Sequence, residues 1–532
     1  MSAQFKRFVL CLMTVALLVS AFGASAEGRK TTAADSQEQY EKIVTALASD
    51  PSDLLPLNMN RGTKPKFYWE IYETLFTLKD GMYYIPSLAK EYQITDDTHY
   101  VVTIYDDIYD SEGNHITAED VVFSYEWRVS TGETVGMANF VGIKAVGDYT
   151  VEIEFAASPS IYAIGACQTI LCRQPIFSKT AFENHNFAVD PVGTGPYVVK
   201  EYITDSRLVL EANPNYWALN NKEAYDAMGE EHRAYVKTIE YDIVKEAAQR
   251  VTGLQTGRLD FVESVSKEDV EQFKEGGRYA DKFNVAVLNG SSYLFLEPNL
   301  TEQSKVYDPN LRKAIFYAIN NDVLAEIFSG NPCKAWGKGD EGNYNPAWET
   351  QENNFIGVYD EDKAKEYLKA SGYKGETIVL MCRNNETEKN VAVMIQAFAA
   401  QIGVTMEVKA LDPTVIQSGV RDDATAWDFY LQPRYGSVML SANDEWNGAK
   451  DGINTGLIYD QTMQDLFEKC VNLETANSGA LDDLFNYLMD NAMTYSVFTQ
   501  TNNLVYSKDI ADLFYNGNAT NFQLGSCTYY LG

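Results

Sequence analysis

Histidine is nearly missing from this 532-residue sequence: His99, His115, His185 and His232 are the four present, and no two stand at metal-ligand spacing. HExxH, GxSxG and CxxC are absent too, as is any cysteine with a positioned histidine, so zinc-protease, serine-elbow, thiol-protease and metal-finger chemistry have no motif to rest on. Basic residues are scarce, 43 Lys and Arg against 75 Asp and Glu, a net charge of −32 that repels nucleic acid and favours solubility. Beyond the first two dozen residues no stretch is long and charge-free enough to cross a bilayer. In so acidic a chain, paired carboxylates of the glycosidase type are the enzymatic alternative left standing.

What is present begins with the three-part pattern of a secretory signal. Lys6 and Arg7 precede an apolar run from Phe8 to Phe22, and Ala24-Ser25-Ala26 offers a small-residue cleavage site. Cys11 lies inside the run, between Leu10 and Leu12, where it cannot serve as a lipid-attachment residue; an uncleaved, membrane-tethered signal is the alternative. Cleavage after Ala26 leaves 41 basic and 75 acidic residues, a net charge of −34. The six cysteines that follow, Cys167, Cys172, Cys333, Cys382, Cys470 and Cys527, are expected mainly as buried thiols, with a local Cys167–Cys172 disulfide as an option for an exported chain.

The mature length exceeds what one hydrophobic core serves, and the 45% apolar and 13% aromatic content predicts a folded chain of two or more lobes. Glu27 to Ser36 reads as a mobile leader. FYWEIYETLFTL from Phe67 predicts a helix, and YVVTIY at 100–105 a strand. Asp110–Trp127 reads as a turn at Gly113 feeding a helix, with Thr117 and Asp120 at capping-box spacing. Its acidic residues Asp106, Asp107, Asp110 and Glu112 lack the ligand alternation and closing Glu of a calcium loop. DPVGTGPYVVKEY (190–202) is a Gly/Pro loop entering a strand; Pro196 after Gly195 removes an amide that a phosphate cradle needs, so turn geometry is the expected reason for the glycines. RLVLEANPNYW (207–217) is a strand. Further on, helices at 308–328, 360–373 and from Val391 to a stop at Gly403 alternate with strands at 376–382 and after 403, a second α/β unit.

Six of these stretches stand in an order that resembles the extracellular solute-binding proteins of the peptide, nickel and opine type: Tyr72–Leu75 (YETL), Gly113–Glu126, Pro191–Tyr197 (PVGTGPY), Leu210–Trp217 (LEANPNYW), Arg312–Ile319 and Tyr359–Tyr373. The resemblance covers about 45 to 525 and is collective, since any one fragment is weak alone. It implies an α/β, two-lobed periplasmic-binding-protein-like fold with a ligand cleft between lobes. The expected layout is a signal at 1–26, a leader at 27–44, lobe one at 45–76, 186–285 and 496–532, an extra subdomain at 77–185, and lobe two at 286–495. It also implies a monomer that captures a peptide or peptide-like solute and delivers it to ABC permease subunits, with no cofactor, metal or nucleic acid. A sensor or chaperone without transport, or a secreted hydrolase, is the alternative.

The resemblance points to contacts on both lobes. Main chain at Asn60-Arg61-Gly62-Thr63 would pair with an extended peptide, with Arg61 able to receive a carboxylate. In lobe two, peptide binders commonly carry an acidic residue after a "DF" strand to meet the peptide amine. Here Gln432-Pro433-Arg434-Tyr435 follows instead, which favours an anionic or planar ligand at Arg434 and Tyr435. Asp444 and Trp446 would preserve amine capture from a longer loop. Tyr293 and Trp336 are candidate aromatic walls, with core packing as the plainer reading.

Overall fold

The computed structural model describes residues 31–33, 38–60, 67–79, 83–94, 98–132, 137, 140–156, 170–229, 232–336, 345–412, 415–416, 423–435, 460–472, 475, 478–513, 515–516, 521–522 and 524–530. One mixed sheet runs through both halves of the molecule. Its strands are β1 (Tyr40–Leu47), β2 (Tyr197–Ile203), β3 (Arg207–Ala212), β4 (Val236–Ile243), β5 (Phe261–Val262), β6 (Phe283–Pro298), β7 (Gly330–Pro332), β8 (Ile378–Arg383), β9 (Met406–Leu411), β10 (Phe429–Tyr435) and β11 (Ser496–Ser507). They lie in the order β2-β3-β4-β1-β5-β11-β6-β10-β8-β9, with β7 also on β11.

There are three major cores, two of them on this sheet. Ile43, Tyr72, Tyr197, Leu208, Ile239, Phe261 and Leu504 share the first, in lobe one. The second, in lobe two, spans Tyr293 to Phe498 and holds Trp336, Trp348, Phe429 and Phe485. A third belongs to the extra subdomain, where a separate four-stranded antiparallel sheet packs against the helix Ala118–Ser130 through Val102, Ile104, Val121, Tyr125, Val151 and Ile153. That helix starts as its sequence predicts: Thr117 and Asp120 make the reciprocal capping box. Tyr216, Trp217, Ala224 and Met228 join the subdomain core although they follow the expected return to lobe one, because NPNYW turns the chain back across its face.

Four local readings are corrected. The expected leader carries structure: Thr32 bridges Tyr530 and is buried with Ala33, and β1 begins at Tyr40, where Ile43 is buried and the strand pairs with both β4 and β5 in the middle of the lobe-one sheet. FYWEIYETLFTL is helical only over α1 (Tyr68–Ile71), followed by strands at Glu73–Thr74 and Phe76–Lys79. Phe67, Tyr68, Ile71, Tyr72, Leu75 and Phe76 are all buried, so the run is three short, enclosed elements with no helical stripe. The 308–328 helix is split into α2 (Pro309–Ala318) and α3 (Asn321–Ile327): Ile319 is extended and the Asn320 side chain caps the new helix at Val323 N. Lastly, Cys172 is a free buried thiol in the subdomain core, so the local disulfide is not formed; Cys167 lies outside the described residues.

Farther along, α4 (Glu361–Ser371) ends at Gly372 in the left-handed conformation, and α5 (Glu386–Gln401) crosses over between the parallel neighbours β8 and β9.

Candidate ligand-binding cleft

Two strands join the lobes. β6 pairs with β11 in register from Phe283–Ser507 to Asn289–Thr501 in lobe one, and again from Tyr293–Thr499 in lobe two. Between those points β6 advances four residues while β11 advances two. On its other edge β11 changes partner from β5, at Val505 and Tyr506, to β7, at Phe498 to Gln500. The irregularity therefore sits where the chain crosses between lobes, a place where a β-bulge bends a strand.

β6 and β10 set the lobe-two side of this junction. Their register puts Tyr293 opposite Arg434 and Ser292 opposite Tyr435, so three sequence-predicted site positions are neighbours on adjoining strands. Tyr293 is itself buried and meets Phe295 edge to face at 6.4 Å. Two residues further, Phe295 faces Gln432, whose Nε2 donates to Glu297 Oε2 at 2.7 Å. Both groups are buried, a polar pair within an otherwise aromatic strip. Glu297 was legible in principle: a carboxylate inside the run YLFLEPNL stands out, since buried charges persist only when hydrogen-bonded.

The lobe-one wall is held by α1. Tyr68 Oη donates to Asp53 O at 2.6 Å and Tyr72 Oη to Leu54 O at 2.9 Å, which fastens the helix to the segment leading into the 3-10 turn Pro56–Asn60. Arg61, Gly62 and Thr63 come directly after that turn and lie outside the described residues, as do Asp444 and Trp446. The PVGTGPY loop lies on α1: Gly195 N donates to Ile71 O at 3.0 Å, a Cβ at Gly193 would stand 2.0 Å from the same oxygen, and one at Gly195 would stand 2.6 Å from Glu70 O. Close backbone approach, and not a turn with positive φ, is why glycine occupies both positions.

Trp336 goes to the other of its two readings. It is fully buried in the lobe-two core and stacks on Trp348 with centroids 6.3 Å apart. Three further buried polar residues organise the scaffold. Asp428 of Trp427-Asp428-Phe429 accepts from Ser304 Oγ, Lys305 N and Nζ and Val379 N, tying β8 and β10 to the loop after β6. Glu73 accepts from Tyr216 Oη at 2.6 Å, Trp217 Nε1 at 2.9 Å and His232 Nδ1 at 2.9 Å, joining YETL to LEANPNYW. Arg312 donates to the carbonyls of Val306, Tyr307, Asn491 and Ala492, and burial lowers its pKa to about 10. Thus three of the shared sequence stretches carry a buried polar anchor.

Among the described residues no His/Cys/Asp/Glu group has the arrangement to hold a metal, and no helix is long and apolar enough to cross a membrane. His185 bridges Asp190 and Glu112 at the surface; Asp110 is spent on Glu112 N, Asn114 N and Asn114 Nδ2 in its own turn.

Two lobes joined by paired crossing strands, with a subdomain on the first, are the architecture of periplasmic solute-binding proteins. The oligopeptide-binding protein AppA of Bacillus subtilis, solved in complex with a nonapeptide, superimposes with a TM-score of 0.70 at 18% identity, covering 93% of this chain and 100% of that one. NikA of Brucella suis, solved with Fe(III)-EDTA, gives a TM-score of 0.74 at 16% identity over 92% of this chain and 99% of that one. Residues 84–450 match the bacterial extracellular solute-binding proteins, family 5 Middle, and the chain belongs to that family. A curated relative, the glutathione-binding protein GsiB of Pectobacterium atrosepticum, is 24% identical over 421 residues, 74% of this chain and 77% of its own. The protein is a substrate-binding component of an ABC transporter, and members of its family are substrate-binding proteins rather than enzymes.

Proposed function

We propose that this protein is exported behind a signal cleaved after Ala26 and, as a monomer, captures a peptide or peptide-like solute bearing a free carboxylate for delivery to its ABC permease. The lobes are taken as bounded near 286 and 495, with β6 and β11 as the crossing strands. The observation that carries the ligand reading is the register of β6 on β10, which places Tyr293 opposite Arg434 and Ser292 opposite Tyr435 beside the lobe junction. A guanidinium there matches a carboxylate in bidentate geometry, and Tyr435 would supply a flat apolar wall, while Tyr293 stays buried in the lobe-two core. Main chain at Arg61, Gly62 and Thr63 would add strand-like hydrogen bonds that tolerate varied side chains. Asp444 and Trp446 serve the opposite end of the ligand, its amine.

Relatives that bind glutathione and a nonapeptide fit such a ligand, while the Fe(III)-EDTA complex of NikA keeps chelated metal in the comparison. Isothermal titration of the mature chain against di- to hexapeptides, their C-terminal amides, oligosaccharides and metal chelates tests the reading. Acid-ended peptides should bind, with Arg434→Gln weakening them by roughly tenfold or more, as expected for a charge-assisted pair. Equal binding of acids and amides, or no effect of Arg434→Gln, would refute the carboxylate role.

A further inference from the structure

Lobe two carries a surface cavity that shares no residue with the cleft. It has a volume of about 520 Å³ and is formed by α2, α4 and residues 351–355, with Lys313, Tyr317, Gln351, Glu352, Asn353 and Tyr367 in its wall. The rings of Tyr317 and Tyr367 lie parallel, 4° apart with centroids at 5.6 Å. Lys313 Nζ stands 5.7 Å from the Tyr367 centroid and Lys363 Nζ 5.2 Å from that of Tyr317.

Lys313 is half-buried and, among the described residues, has no carboxylate at ion-pair distance. Asp490 acts on it through space only, and accepts from Asn353 Nδ2 at 3.0 Å. Burial is the main cause that lowers the pKa of Lys313, with Asp490 opposing and Arg312 adding to the fall. By contrast Lys305, similarly part-buried, is paired with Asp428. In a chain with 75 acidic residues a part-buried ammonium left to an aromatic ring is a cation short of a partner. Glu352, exposed on the same wall, supplies the opposite charge.

We propose that this cavity is a second ligand site, for an α-amino acid, whose carboxylate meets Lys313, whose ammonium meets Glu352 and whose side chain lies against the Tyr317–Tyr367 pair. L-Phenylalanine is the first probe, with 3-phenylpropionate and phenethylamine as its halves, titrated by calorimetry into the full mature protein. Phenylalanine should bind, and each half should bind at least about tenfold more weakly. Lys313→Met and Glu352→Gln should each weaken phenylalanine about tenfold with unchanged melting temperature, while Arg434→Gln leaves it unaffected. No binding of phenylalanine would overturn the proposal, as would binding that Lys313→Met leaves intact or that Arg434→Gln removes. Propionate-type binding as tight as that of phenylalanine would remove the role given to Glu352 and with it the amino-acid class.

Discussion

Glu70 is a carboxyl with nowhere to put its charge. It sits in α1, fully buried beneath the PVGTGPY loop, with Oε1 accepting from Gly525 N at 3.0 Å and Oε2 without a partner among the described residues. Burial drives its pKa from an ordinary 4.5 up to about 8, against the smaller pull of the Gly525 N–H. Between those two values the folded state holds a proton that the unfolded chain has released. Stability linked to Glu70 is therefore full below about pH 4.5 and lost progressively as pH rises to 8. The shift corresponds to roughly 5 kcal/mol at most, a ceiling that local relaxation and water entry would lower. Glu70→Gln removes the titration and keeps shape and an acceptor for Gly525 N. Denaturant unfolding of both proteins from pH 4.5 to 9 should give near-equal stability at the acid end and an advantage for the variant that grows by several kcal/mol toward pH 8–9. Other titrating groups cancel in the difference. A variant whose advantage or deficit is the same at every pH would show that Glu70 does not carry the proton assigned to it.

Further outcomes follow from the anchors. Arg312→Met should cost about 3 kcal/mol, because four carbonyls, two of them in buried bonds, lose their donor, and should show as a lower denaturant midpoint. Gly193→Ala should destabilise lobe one severely, since its Cβ meets Ile71 O at 2.0 Å, whereas Gly142→Ala, which meets nothing within 4 Å, should shift the melting temperature little. Hydrogen bonds to Asp190 raise the pKa of His185, so the little stability this exposed link supplies is present below the ordinary value near 6.5 and fades above it. His185→Gln should flatten the pH dependence of melting in that window.

Much of the fold could be read from the sequence where local and global demands agree. The capping box at Thr117 and Asp120, the Gly403 stop and the apolar run of β8 each state their structure within a few residues. The reading from Phe67 to Phe76 failed because burial there is all-round, so periodicity carries no signal and length alone cannot separate helix from strand, while the 308–328 helix was split by a local Asn320 cap. The site was legible only in part. Tyr293 and Arg434 are about 140 residues apart in sequence, and only the β6–β10 register makes them neighbours. Trp336 shows the converse, since a tryptophan in a loop suggests a ligand wall, yet here it stacks on Trp348 to complete a core. Asp428 was passed over because the family pattern directs attention to an acid after the strand, while this one, at its mouth, is consumed by the scaffold.

The crossing strands allow one more outcome to be argued through. From Asn289 to Tyr293, β6 takes four steps against two on β11, an excess of two residues at the lobe junction. Deleting Gly290 and Ser291 would remove this excess and leave only the smaller shift between Leu294 and Phe295. Because strands repeat every two residues, removal of a pair keeps Tyr293, Phe295 and Glu297 on their present face, and neither core need be repacked. The two lobes would lose the slack that lets one rotate against the other and would be held at a single angle. If solute capture works by closure about this junction, the deletion variant should retain native circular dichroism and a cooperative melt yet bind ligand at least about tenfold more weakly, the cost of holding the binding-competent arrangement out of reach. Full affinity in a well-folded deletion variant would mean that the irregular stretch of β6 has no part in closure, and that movement between the lobes must be sought elsewhere in the chain.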